Sequence, residues 1–213
     1  MSSSLLHTLN ISRQDILSRM MDLDVTSYNL ANVNTAGYKA SRSNFQEMLN
    51  QLLTEGTQLK NTQLLTAQGN LRDSTNPLDW AIQGEGFFSV TLSDGKIGYT
   101  RDGQFGLDTD RKLVTASGYP LIWKGTIAEG MTDISISPEG KVTALDEKGA
   151  KVEVGDVQLT RFPNPSGVTS HGGNIWLESD ASGAAQAGAA GAENYGTIGA
   201  YRVEQSNVDL AQE

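Results

Sequence analysis

A chain of 213 residues holds one good-sized domain with accessory elements, or two small domains. Its net charge of −9, with no Lys/Arg-rich run, argues against nucleic acid, because phosphate contacts need a basic patch. The absence of cysteine removes disulfides, thiolate zinc sites and cysteine nucleophiles, while the 23 glycines favour tight turns and β-rich structure.

Met1–Asn10 lacks a basic start and a continuous apolar core, so no cleavable signal peptide is visible. No apolar run approaches the ~18 residues of a membrane span, so insertion into a bilayer is not expected. From Leu6 a three-four spacing predicts a helix through Leu6, Leu9, Arg13, Ile16, Met20, Leu23, Ser27 and Leu30. This is a coiled-coil-like seam, interrupted by Arg13 and Ser27. A second stripe, Leu17, Met21 and Tyr28, lies beside it. Two stripes suit a helix wedged among several neighbours; the plainer alternative is an amphipathic helix folded onto its own domain. Neither proline nor glycine interrupts Leu5–Thr35, and Gly37 sits where a left-handed C-cap is expected. Asn29, Asn32 and Asn34 suit caps or turn hydrogen bonds and make a poor ligand site.

Ser41–Leu53 continues with helical spacing through Phe45, Met48, Leu49 and Leu52. Thr57–Arg72 reads as an extended connector, turning at Gly69-Asn70. From Asn76 the period changes to two. Phe88, Val90 and Leu92 share a face, Ser93–Lys96 turns, and Ile97 and Tyr99 return. Further turns fall at Arg101–Gly103, Asp108–Arg111 and Gly118–Pro120, before Leu121–Trp123. Short strands follow at Ile134–Ile136, Val142–Leu145, Val152–Val154 and Val157–Arg161. Turn signals every ~8–12 residues indicate an all-β barrel or sandwich. Ala181–Ala192 is rich in glycine and alanine and reads as a mobile surface loop. Tyr195–Val208 reads as a returning strand, and an apolar pattern begins at Val208 and Leu210. The expected fold is therefore mainly β, with an N-terminal amphipathic helix (1–36), a helical and extended connector (37–75), a β-rich domain (76–194) and a returning strand (195–213).

Groups that carry chemistry are sparse. His7 lies in the helix and His171 in a turn, with no ligand pattern around either. Asp108 and Asp110 do not make a calcium loop, because Leu113 falls where that loop needs glycine. Gly84-Glu85-Gly86 precedes a strand, whereas a dinucleotide fingerprint precedes a helix. Asp79, Glu85 and Asp94 are candidates for a carboxylate pair in a carbohydrate-active β-sandwich enzyme, but nothing in their spacing favours that over surface turns. No catalytic, cofactor or metal residue is expected.

Asn29–Lys39 (Asn-Leu-Ala-Asn-Val-Asn-Thr-Ala-Gly-Tyr-Lys) resembles the N-terminal signature of the flagellar axial proteins of the rod and hook. Asn76–Phe88 resembles the opening of that family's β-domain. Tyr99–Phe105, with Leu113–Thr115 and Gly118–Leu121, resembles its next strands, and Ser206–Ala211 resembles the start of its C-terminal helix. Within the family, the length and the run from Asn164 through Gly191 are most similar to the distal rod type. The Gly56–Gly69 connector is shorter than in that type, which keeps a proximal rod or hook protein as the alternative. The resemblance implies a structural subunit without enzymatic activity or cofactor. It implies export through the flagellar type III channel without a cleaved signal, and helical self-assembly with other rod and hook subunits, inside ring or bushing proteins. The place implied is the extracytoplasmic basal body. In the family a C-terminal helix pairs with the N-terminal one, and this chain departs from that pattern, stopping at Glu213 where the C-terminal helix starts. Leu6, Leu9, Ile16, Met20, Leu23 and Leu30 are then the subunit-packing residues. Asn29, Asn32, Asn34, Gly37 and Tyr38 form the signature turn.

Overall fold

The computed structural model describes residues 2–47 and 57–210, without the side chains of residues 2–8, 11, 43–47 and 57–62. One helix, α1 (Ser2–Ala31), precedes strands β1 (Ser41–Glu47) and β2 (Thr57–Leu64). Then come β3 (Leu71–Asp73), β4 (Trp80–Gln83), β5 (Phe88–Thr91), β6 (Ile97–Thr100), β7 (Phe105–Leu107) and β8 (Leu113–Thr115). The next group is β9 (Lys124–Gly125), β10 (Thr132–Ile136), β11 (Lys141–Leu145), β12 (Lys151–Asp156) and β13 (Gln158–Arg161). The last is β14 (Thr169–Gly172), β15 (Ile175–Leu177), β16 (Gln186–Ala189), β17 (Thr197–Ala200) and β18 (Arg202–Glu204).

The strands form small antiparallel sheets, the larger two in the orders β10-β11-β12-β9 and β14-β15-β6-β5. None closes into a barrel, so the β-rich part is sandwich-like. The hairpins form where local turn chemistry dictates. Between β5 and β6, Gly95 takes φ +81° and Asp94 Oδ1 accepts from the Lys96 amide at 3.0 Å. Late in the chain, β17 pairs with β4 and β18 with β3. The chain therefore returns to where the β-rich part begins.

Phe87 and Phe88 are adjacent, and each enters a different cluster. Phe88 joins Trp80, Phe105, Leu113, Leu159 and Ile198, with the Phe105 ring 5.2 Å from Phe88 and 5.4 Å from Trp80. Phe87 joins Leu64, Tyr99, Phe162 and Trp176, edge-on to Phe162 and Trp176. This strand is buried on both faces, which is why strict alternation is weak here. Phe88 therefore does not share a cluster with Val90 and Leu92, which pack with Ile175.

Two expectations are overturned. Residues 41–47 form a strand rather than continuing as helix; Met48, Leu49 and Leu52 lie outside the described residues. Cross-strand pairing from Ser41↔Leu64 to Glu47↔Thr57 overrides the helical spacing of a few apolar side chains, and turns the supposed connector into the second strand of a ribbon. Ala181–Ala192 is not a loose loop. It contains β16, paired with β13, and buries Ser182 and Ala190 completely or nearly so. Its small residues mark close approach: a Cβ on Gly188 would stand 2.5 Å from the Tyr195 ring.

The candidate assembly helix and its joint

Helix α1 borders the β1–β2 ribbon. The side it buries within the molecule runs through Gln14, Ser18, Asp22, Val25, Thr26 and Asn29. These fall at three-four spacing and are polar except for Val25. The predicted seam faces outward: Leu9, Ile16, Met20, Leu23 and Leu30 are each more than half exposed. The side chain of Leu6 lies outside the described residues. The second stripe is exposed as well, through Leu17, Met21 and Tyr28. A helix with its polar side inward and its apolar sides in water is inverted relative to an ordinary surface helix. The exposed apolar side chains of the seam run from Leu9 to Leu30, with the exposed Arg13 and Ser27 between them. Among the described residues no helix is long and apolar enough to cross a membrane.

The turn after α1 is fixed by hydrogen bonds to distant strands. Asn29 is 1% exposed; its Nδ2 donates to Ser41 O at 2.9 Å, and its Oδ1 accepts from the Ser41 amide and the Tyr38 hydroxyl, each at 3.0 Å. One amide thus closes the helix end onto the first residue of β1. Asn32 Nδ2 donates to Tyr28 O, and Asn32 Oδ1 accepts from Thr35; Asn34 is exposed. Gly37 is left-handed, at φ +65°, but is not the C-cap, since α1 already ends at Ala31. Glycine is required there by close approach: a Cβ would stand 2.4 Å from Asp102 N. The Gly37 amide donates to Glu204 O at 2.7 Å, and Asn174 Nδ2 donates to Ala36 O at 2.7 Å. Asn207 secures the following residues. Its Oδ1 accepts from the Ala40 amide, and its Nδ2 donates to Leu65 O and Ala67 O.

Beneath the turn is a buried ionic triad. Glu204 Oε1 lies 2.6 Å from Lys39 Nζ and accepts from the Gly69 amide at 3.0 Å. Glu204 Oε2 lies 3.5 Å from Arg101 NH1. Lys39 also donates to Ala67 O, and Arg101 to Gly84 O, each at 2.8 Å; the guanidinium stands 5.4 Å from the Phe87 ring centroid. Burial holds the Lys39 ammonium below its ordinary pKa, with the Glu204 charge acting the other way. Burial likewise lowers Arg101 and raises the Asp102 carboxyl, the latter aided by Asp79. The triad ties the end of the turn, the connector, the β-rich part and the returning strand to one another.

The carboxylates considered for hydrolysis have separate partners: Asp79 accepts from Ser74 and Asn76, Glu85 pairs with Arg161, and Asp94 with Lys96. His171 is exposed on β14. Among the described residues no three His, Cys, Asp or Glu gather where a metal could be held.

A family model described as the flagellar hook protein FlgE/F/G D1 domain matches residues 81–144, and one described as the flagella basal body rod protein matches residues 21–39. The flagellar basal-body rod protein FlgG of Buchnera aphidicola (subsp. Acyrthosiphon pisum) is 34% identical over 226 residues, covering 97% of this chain and 87% of that protein. The chain belongs to the FlgG family of flagellar basal-body rod proteins. The FlgG proteins of Borreliella burgdorferi and Bacillus subtilis agree, at 33% identity (92% of this chain, 82% of that one) and 35% identity (90% and 81%). The hook protein FlgE of Helicobacter pylori is a lesser match: 36% identical, it covers 67% of this chain but 23% of its own length. As a member of the rod family, of the distal type, the chain is a structural protein and not an enzyme.

Several of the joint's residues come from the family-like segments. Gly37, Tyr38 and Lys39 lie in the first, Gly84 and Phe87 in the second, Arg101 and Asp102 in the third and Asn207 in the last. Glu204 and Asn174 lie outside them, and sequence reasoning missed both. Glu204 stands two residues before the last segment, where a buried carboxylate has no local signature.

Proposed function

We propose that this rod subunit polymerises helically with copies of itself and with other rod and hook subunits, and that α1 is the element that does so. Leu6, Leu9, Ile16, Met20, Leu23 and Leu30 pack between subunits, while the signature turn at Asn29, Asn32, Asn34, Gly37 and Tyr38 joins this inner layer to the outer β-rich part. The observation that carries the reading is the inversion of α1, which spends its polar side on its own ribbon and leaves its apolar sides exposed. Burying one such side chain is worth about 1.5–3 kcal/mol, so a row of them on each copy supplies a strong drive to associate.

The rigid joint suits transmission of motor torque, because rotation of the inner helix is passed to the β-rich part through buried polar contacts. The chain reaches the basal body through the flagellar type III export apparatus, without a cleaved signal. In a two-membrane cell it works in the periplasm, turning within ring or bushing proteins. In this scheme residues 1–36 form the assembly helix, 37–75 the connector, 76–194 the outer domain and 195–213 the returning strand and the start of the C-terminal helix. The test is Ile16→Asp combined with Leu23→Asp in the full-length protein. Polymerisation is lost while the circular dichroism and melting of the β-rich part are unchanged; rods of normal appearance from that variant would refute the proposal.

A further inference from the structure

We propose that the cavity between the joint and the β-rich part is a binding site for a carboxylate group. The cavity has a volume of about 70 Å³, and its lining includes Lys39, Arg101, Arg161, Glu85, Gly86 and Phe87. Three cations meet two carboxylates here. Lys39 and Arg101 share Glu204, and Arg161 pairs with Glu85, so three positive and two negative charges leave a surplus of one positive charge. Two of the cations, Lys39 and Arg101, are almost fully buried. A buried cation without its own counter-charge carries a desolvation penalty that an anion in the cavity would offset.

One buried nitrogen here, Arg101 Nε, is also left without a hydrogen-bond acceptor among the described residues, whereas Arg161 Nε lies 3.0 Å from Glu85 Oε2. Buried donors of this kind normally have partners. The Arg101 guanidinium carbon stands over the Phe87 ring, and a planar guanidinium is a donor suited to carboxylate oxygens. The volume admits a two-oxygen head with its carbon, and a single surplus charge matches a monoanion better than a phosphate. Two sources have this chemistry: an Asp or Glu side chain of a second copy, and a free small carboxylate.

The experiment titrates the full chain, unassembled, with sodium acetate against sodium chloride at matched ionic strength. Backbone amide resonances of Gly84, Gly86 and Phe87 and the melting midpoint are followed. A saturable acetate response, absent with chloride, is expected. It should weaken about tenfold or more in Arg161→Gln, which removes one charged donor from a partly exposed position and leaves the triad intact. No saturable response overturns the proposal. So does an equal response to chloride, or an acetate response that persists unchanged in Arg161→Gln, the mark of an adventitious ion only. A second arm, resting on the proposed assembly, repeats the titration on rods. Acetate excluded from rods, and slowing their growth, identifies a neighbour's acidic side chain as the occupant; acetate binding equally to rods and free protein identifies a free carboxylate. The first arm does not depend on polymerisation, so failure of the site and failure of assembly are distinguishable.

Discussion

Glu204→Gln is the sharpest perturbation of the joint. The substitution keeps the shape and one acceptor oxygen but removes the charge that Lys39, at 2.6 Å, and Arg101, at 3.5 Å, share in a site from which water is excluded. Breaking a buried pair by removing one partner costs about 3–5 kcal/mol, and the retained oxygen, still able to accept from the Gly69 amide or Lys39, points to the lower end. For a protein of this size a loss near 3 kcal/mol lowers the melting midpoint by roughly 6–12 °C. The assay is thermal melting followed by fluorescence of the buried Trp80 and Trp176. pH gives a second readout. Burial depresses the Lys39 pKa in the folded chain, and loss of the opposing Glu204 charge depresses it further. A group with a depressed folded pKa contributes stability that is present above its unfolded value and lost as pH falls through its folded value. The deficit of the variant should therefore narrow as pH rises from Lys39's pKa in the variant to its less depressed pKa in the parent, both below the unfolded lysine value of about 10.4. A midpoint within about 2 °C of the parent at neutral pH, less than 1 kcal/mol on the same scale, would refute the reasoning, as would a deficit independent of pH.

Gly37→Ala and Gly95→Ala both place alanine at a left-handed φ, a strain of about 1–2 kcal/mol, but only the first drives a Cβ against backbone, at Asp102. Urea unfolding should show Gly37→Ala as clearly the more damaging; equal effects would mean that the turn is not pressed onto the β-rich part. Asp102→Asn should be more stable than the parent at neutral pH. The Asp102 carboxyl is raised by burial, so its contribution is present below the unfolded value and lost as pH rises through the folded one; the advantage should disappear below about pH 4. Asn29→Leu leaves the Ser41 amide and carbonyl without their side-chain partner, at about 1–3 kcal/mol for each group left unsatisfied. Hydrogen exchange should show faster opening at the end of α1 with the β-rich part unaffected.

How much of this was legible in the sequence depended on range. The helix, its seam and the hairpins around Gly95, Arg111 and Gly118 follow from residues a few positions apart, and they form where the spacing and turn chemistry placed them. The β1–β2 ribbon was hidden, because polar strands such as Thr57–Leu64 carry little apolar alternation and are held by backbone pairing with Ser41–Glu47. Gly188 and its neighbours look flexible by composition and are ordered by the Tyr195 ring. Of the signature turn, the asparagines could be singled out, but not that Asn29 is buried and bonds Ser41, nor that Gly37 serves a contact rather than a cap. The triad joins positions 39, 101 and 204, and no local pattern links residues so far apart.

Assembly through α1 is most directly tested by thiol accessibility. The chain has no cysteine, so Ile16→Cys gives a single thiol on the exposed seam and Ser93→Cys a single thiol at the exposed tip of the β5–β6 hairpin. Labelling rates of each are compared in free protein and in rods. Ile16→Cys should lose its reactivity by an order of magnitude or more on assembly while Ser93→Cys keeps its own. Intact rods in which Ile16→Cys is labelled as fast as in the free chain would contradict the role of this helix.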